Sequence, residues 1–131
     1  DSRANDNTIG FYCPQKDFGH QEMLRDIFLW SVYAGYVDIA FVLLLQLKSR
    51  IGAALVATCI ARRLSRKSDK LHMRNTYKEH RKAYEDYATA CINACYKQNE
   101  RGACQLLLRQ INLFGNVTCM QVVRIHDLYL S

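Results

Sequence analysis

The sequence predicts an all-α protein of about six helices, stacked as antiparallel pairs in an ankyrin- or armadillo-like solenoid. Three observations predict it. Chain breakers are scarce, with one proline and six glycines among 131 residues, which disfavours a sandwich of short strands. Apolar residues recur at 3,4 spacing along most of the chain, and no stretch alternates with the period of two that marks a strand. The balance of 50% hydrophobic and 23% charged residues is that of a globular domain. A chain of this length buries roughly two-thirds of its unfolded surface, so a core forms without disulfide staples.

Residues 1–20 lack periodicity and carry Gly10, Pro14 and Gly19, which reads as a linker ahead of a helical-repeat domain over 21–131. A first helix is predicted from near Gln21 or Glu22 to Ala34, with Gly35 just past its end. Met23, Ile27, Trp30 and Ala34 form one apolar face; Leu24, Phe28 and Ser31 form a second. A second helix over Val37–Leu47 is apolar all round, as a central helix would be. A third over Ile51–Lys67 turns Ile51, Leu55, Cys59 or Ala61, and Leu64 inward, and its basic last turn suits the helix dipole. After a break at "KSDK", a long helix over Asp69–Gln98 has a stripe of Leu71, Tyr77, Tyr84, Tyr87, Ala88, Cys91, Ile92 and Cys95. Asn99 is placed to cap a helix over Glu100–Gln110 that buries Ala103, Leu106, Leu107 and Ile111. "NLFGNV" reads as a turn, tightest at Gly115-Asn116, and a last helix runs from Val117 or Thr118 to Leu128.

The stretch 26–65 is dense enough in apolar residues to suggest a membrane. A spanning helix needs about 20 consecutive apolar residues. The longest run here, Ile39–Leu47, is interrupted at Gln46 and bounded by Asp38 and Lys48-Ser49-Arg50. These blocks suit a helix-on-helix interface instead. The chain starts at Asp1 without a methionine and ends on "LYLS", which suggests a piece of a longer protein. Its six cysteines could form three disulfides in a secreted protein, but four of them sit in helical patterns where Cys acts as a small hydrophobe. Reduced thiols in a cytosolic compartment are the simpler expectation.

Nothing in the sequence points to catalysis or a cofactor. Cys91 and Cys95 lie one turn apart near His80 and Cys104, but no C-x-x-C or H-x-x-x-H pairing of a zinc site accompanies them. The four histidines are scattered, and neither a nucleophile elbow nor a glycine-rich phosphate loop is present. The net charge of +6 is concentrated: the segment from Arg62 to Lys82 holds nine of the eighteen Lys and Arg residues. It reads as a solvated face, or as a contact for anionic lipid head groups or an acidic subunit surface through Arg62, Arg63, Arg66 and Lys67. "IGAALVATCIARRLSRK" also has the form of a basic amphipathic calmodulin target anchored by Ile51, Leu55, Ile60 and Leu64. "RRLS" places Ser65 as a candidate phosphosite for a basic-directed kinase. A nucleic-acid partner is not indicated, since no binding motif accompanies the charge.

Several segments together resemble the melastatin (TRPM) subfamily of transient receptor potential cation channels. These are "DIFLWSV", "AALVA" and "ACYKQNERGACQLLLRQINLFGNVTCMQVV", spanning about residues 22–126. The family pattern falls on Asp26 and Trp30, Ala54–Ala57, Cys95-Tyr96 with Asn99-Glu100, Leu106-Leu107, and Phe114, Asn116, Thr118-Cys119 and Gln121. Ser31, Phe114 and Val123 depart from it where alanine, tryptophan and alanine are usual. The resemblance implies a non-enzymatic, cytoplasmic part of a homotetrameric, calcium-permeable channel of the plasma membrane. Such a part joins distal cytoplasmic domains to the pore. The alternative is a free-standing helical-repeat adaptor that binds acidic proteins or calmodulin through residues 62–82.

Overall fold

The computed structural model describes residues 14–108 and 110–128. Among them six helices follow in order: α1 (Pro14–Ala34), α2 (Val37–Leu44), α3 (Arg50–Lys67), α4 (Leu71–Gln98), α5 (Glu100–Leu108) and α6 (Cys119–Leu128). The all-α expectation holds at this level, with one correction. Between α5 and α6, strands β1 (Gln110–Ile111) and β2 (Val117–Thr118) pair antiparallel, Gln110 opposite Thr118 and Ile111 opposite Val117. Two residues per strand are too few to leave an alternating pattern. Among the described residues, no helix is long and apolar enough to cross a membrane.

α1 is already helical at Pro14, ahead of the expected start near Gln21. Proline is accommodated in a first turn, where its missing N–H would have no partner, and Gly19 weakens a helix by only about 1 kcal/mol. Residues 1–13 of the expected linker, Cys13 included, lie outside the described residues. α1 ends as foreseen. Gly35 is left-handed at φ 82°, its N–H donates to the Val32 carbonyl at 3.2 Å, and the Tyr36 N–H donates to the Ser31 carbonyl at 2.9 Å. This is the Schellman arrangement, and its usual apolar clasp is present as Trp30 against Tyr36, ring centroids 5.5 Å apart. The Tyr77 hydroxyl donates to the next carbonyl, that of Tyr33, at 3.2 Å.

The inward face of α1 is not Met23, Ile27, Trp30 and Ala34. All four are exposed, Trp30 at 57%, while Phe28, Ser31 and Val32 are fully buried. Both faces carry the same spacing, so periodicity alone does not choose between them. Polar anchoring does. Gln21, itself buried, donates from Nε2 to the Gln46 carbonyl at 3.3 Å, and its Oε1 accepts the Lys48 N–H at 2.9 Å. Ser31 hides its hydroxyl by donating to the Phe28 carbonyl at 2.7 Å.

α2 is likewise not the central helix. It stops at Leu44, buries only Ala40 and Leu44, and leaves Ile39 and Val42 exposed. The centre is α3, which packs against α4 most extensively and also against α1, α2 and α6. Its deepest positions are small: Ala53, Ala54, Ala57, Thr58 and Ala61. Ile51 is buried as expected, whereas Leu55, Cys59 and Leu64 are half-buried. The Thr58 hydroxyl donates to the Ala54 carbonyl at 2.8 Å, so even the polar member of this row is satisfied within its own helix.

α3 and α4 form an antiparallel hairpin. The link at Ser68–Lys70 is short, and the start of α3 lies beside Tyr87, Cys91 and Cys95 on the far half of α4. On α4, Tyr77, Tyr84 and Ala88 are buried, but Leu71, expected inside, is 70% exposed on the first turn. Phe41 of α2 stacks on Tyr84 at 5.2 Å and meets Tyr87 edge-on at 5.8 Å. Asn99 caps α5, its Oδ1 accepting the Gly102 N–H at 3.1 Å. Leu107 and Ile111 pack on the core; the side chains of Ala103, Cys104 and Leu106 lie outside the described residues.

Phe28→Ala lowers stability by about 3–5 kcal/mol, the range for emptying a buried aromatic site. Trp30→Ala costs about 0.5–1.5 kcal/mol, the value of an aromatic pair. Urea denaturation of both variants checks the assignment of the α1 face, and a larger loss at Trp30 overturns it. Burial pushes the Tyr84 hydroxyl up from 10 to about 12. Its folded value lies above its unfolded one, so the stability it contributes is complete below pH 10 and is lost as pH rises to about 12. Denaturation midpoints across this window fall more steeply for the native sequence than for Tyr84→Phe.

Candidate functional site

The exposed face of α1 runs into the exposed face of α2. Met23, Ile27 and Trp30 occupy one stripe of α1, Tyr33 and Tyr36 surround the corner, and Ile39, Val42 and Leu45 continue it. The Trp30–Tyr36 contact joins the two helices' contributions. Isolated exposed apolar residues are ordinary, but here eight gather along α1, α2 and the residues that flank α2, a concentration of the kind found at contact surfaces. At its corner, burial pushes His80 below the usual imidazole range and outweighs the attraction of Glu79 and Asp38. His80 stands edge-on to Tyr77, 5.8 Å between centroids.

One arginine links Asp26 on α1 to the turn that holds Asn116 and leads to Thr118, Cys119 and Gln121, while Cys95 and Tyr96 lie elsewhere, on α4. Asp26 is exposed, and its Oδ1 accepts the Arg25 Nε–H at 2.9 Å. Thus oriented, Arg25 donates from Nη1 to the Leu113 carbonyl at 2.8 Å, 88 residues along the chain. Leu113 belongs to the 3₁₀ turn Asn112–Phe114, which leads into Gly115 and Asn116. Both have positive φ, 76° and 62°, and together they turn the chain back into β2. Asn116 tolerates this conformation better than most residues. Thr118 and Gln121 then form a reciprocal cap on α6: the Thr118 N–H donates to Gln121 Oε1 at 2.8 Å, and the Gln121 N–H donates to Thr118 Oγ1 at 3.1 Å. Cys119 between them is buried. On α4, Cys95 is half-buried and Tyr96 is exposed. Arg25 and Gln21 were not among the residues singled out from the sequence. The one signal for Gln21 is the series Gln21, Leu24, Phe28, Ser31, which is the true inward stripe with a polar residue at its head; Arg25 has none.

The basic segment divides. Arg63, Arg66 and Lys67 are exposed, whereas Arg62 is buried. Ser65 is buried at 5% exposure. The calmodulin-type anchors Ile51, Leu55, Ile60 and Leu64 are all buried or half-buried in the core, so α3 would have to leave the fold to present them. Among the described residues, no group of three His, Cys, Asp or Glu side chains is placed to hold a metal ion. Cys59, Cys91, Cys95 and Cys119 are free thiols, and burial pushes Cys59 and Cys119 up.

Residues 7–124 match the TRPM2-like domain family. The chain is 25% identical over 99 residues to transient receptor potential cation channel subfamily M member 2 of Mus musculus, and 24% identical over 99 residues to that of Rattus norvegicus. It is 23% identical over 101 residues to transient receptor potential cation channel subfamily M member-like 2 of Nematostella vectensis. The matches cover 76%, 76% and 74% of this chain but only 7%, 7% and 6% of those relatives.

The burial of Ser65 fixes its chemistry as a substrate. A basic-directed kinase with ATP leaves Ser65 unmodified in the folded chain and phosphorylates it in a denatured sample, read by peptide mass spectrometry. Equal labelling of both samples would show that the end of α3 opens readily.

Proposed function

Since this chain belongs to the TRPM2-like domain family, we propose that it is a non-catalytic cytoplasmic scaffold segment of a tetrameric, calcium-permeable cation channel. Its helix pairs form one stretch of a solenoid on the inner side of the plasma membrane. That stretch links distal cytoplasmic domains to the pore region and contacts neighbouring subunits.

The exposed band on α1 and α2 carries this reading. A repeat unit that cannot cover its own apolar face is completed by the next unit in the stack. The turned-in anchors of α3 favour the same reading over a calmodulin-binding adaptor. Arg63, Arg66 and Lys67 remain outside for anionic head groups or an acidic neighbouring surface.

The test is a double substitution, Trp30→Glu with Val42→Glu, in the full-length channel chain. Both positions are exposed here, so far-UV circular dichroism of this segment stays unchanged. Tetramer yield on native gels and whole-cell current fall by about tenfold or more, because an unpaired carboxylate buried at an interface costs roughly 3–5 kcal/mol. Normal assembly and current in the double variant would rule the band out as a packing surface.

A further inference from the structure

Of the described serines, Ser31 and Ser65 are buried. Ser49 lines a cavity at the start of α3, and at ψ 61° its backbone is not extended. Ser68, in the link between α3 and α4, differs from all three. It is partly exposed, and Asp69, Lys70 and Leu71 after it are exposed. Its backbone is extended at φ −74° and ψ 130°, and so is that of Lys70 at φ −88° and ψ 129°. The Ser68 hydroxyl donates to the Lys70 carbonyl over 3.4 Å, a weak bond that is readily exchanged. Basic residues stand on both sides, Arg66 and Lys67 before it and Lys70 after it. From the first turn of α4, Arg74 donates from Nε to the Ser68 carbonyl at 2.6 Å. That bond uses one of the five donors of a guanidinium.

We propose that Ser68 is a phosphorylation site for a basic-directed protein kinase, and that Arg74 holds the phosphate. Kinases discriminate substrates by charge pattern, and Arg66, Lys67 and Lys70 supply it. Ser68 and Lys70 are already extended, so seating the segment asks only Arg66 and Lys67 to unwind, at a helix end, where helices fray. Ser68 Oγ forms a bond to the γ-phosphorus of ATP as that phosphorus loses its bond to the bridging oxygen. ADP leaves with the electron pair, and the serine proton passes to the carboxylate base of the kinase. No oxidant or reductant is consumed. The product carries about two negative charges in the most basic segment of the chain. Guanidinium–phosphate bonds are charge-assisted and often bidentate, so the free donors of Arg74 take the phosphate. It then ties the end of α3 to the first turn of α4, which has neither a side-chain cap nor an acid of its own. The same phosphate offsets the positive surface that Arg66 and Lys67 present.

The folded chain is incubated with Mg²⁺, ATP and the catalytic fragment of protein kinase C, and each serine and threonine peptide is followed by mass spectrometry. Ser68 takes up phosphate. Replacing the exposed pair Arg66→Gln and Lys67→Gln slows this by about tenfold or more, the worth of a charge-assisted contact. Phosphorus NMR of the phosphorylated chain then reads the second pKa of the phosphate. It lies below the value of about 6 for free phosphoserine, and Arg74→Gln, at an exposed position, returns it toward that value with the circular dichroism spectrum unchanged. A folded chain without phosphate on Ser68, a rate indifferent to the loss of Arg66 and Lys67, or a phosphate pKa indifferent to the loss of Arg74 would overturn the proposal.

Discussion

The fold depends on the smallness of one helix face. α3 packs against four other helices, and helices approach to about 8–10 Å only as the side chains between them allow. Its deepest positions are alanines and a threonine, with no exposed surface or almost none. Volume is supplied from outside, by Phe28 and Val32 of α1, Leu44 of α2 and Tyr84 of α4. Gly52 extends the rule, since a Cβ there would run into the Ile111 side chain of β1. Larger residues on α3 would force neighbours off their rotamers or push helices apart, and close-packed interiors absorb neither cheaply.

Much of this was legible in the residues, and the failures share a cause. Helix existence, the Gly35 stop, the Asn99 cap and the Gly115-Asn116 reversal follow from local chemistry, because each is decided by a few neighbouring atoms. What periodicity could not supply was phase. α1 has two apolar stripes of similar quality, which suggested a helix covered on much of its circumference, yet the stripe with Met23 and Trp30 is exposed. α2 is apolar apart from Asp38, which suggested a buried centre, yet Ile39 and Val42 face outward. Bulk is no guide to α3, whose importance lies in having little of it. Pro14 and Gly19 were read as breakers although a first turn tolerates one and a long helix survives the other.

The motif residues are legible in a different way. Thr118 and Gln121 satisfy two backbone donors that the start of α6 would otherwise leave bare. Asp26 works at one remove, holding the guanidinium that fastens α1 to the turn before that cap. Asp26, Thr118 and Gln121 thus serve one joint between α1 and the start of α6. Trp30 stands apart in the clasp with Tyr36, and it keeps most of its indole outward.

That outward band sets a conflict between two properties of the same molecule. Its apolar groups favour association of copies, while a net charge of +6 drives copies apart. The repulsion acts over a screening length of about 30 Å at 0.01 M salt and about 8 Å at 0.15 M, whereas contact between greasy surfaces needs no such range. On its own the chain is therefore a colloid held dispersed by dilute buffer, and its solubility falls as ionic strength rises toward 0.15 M.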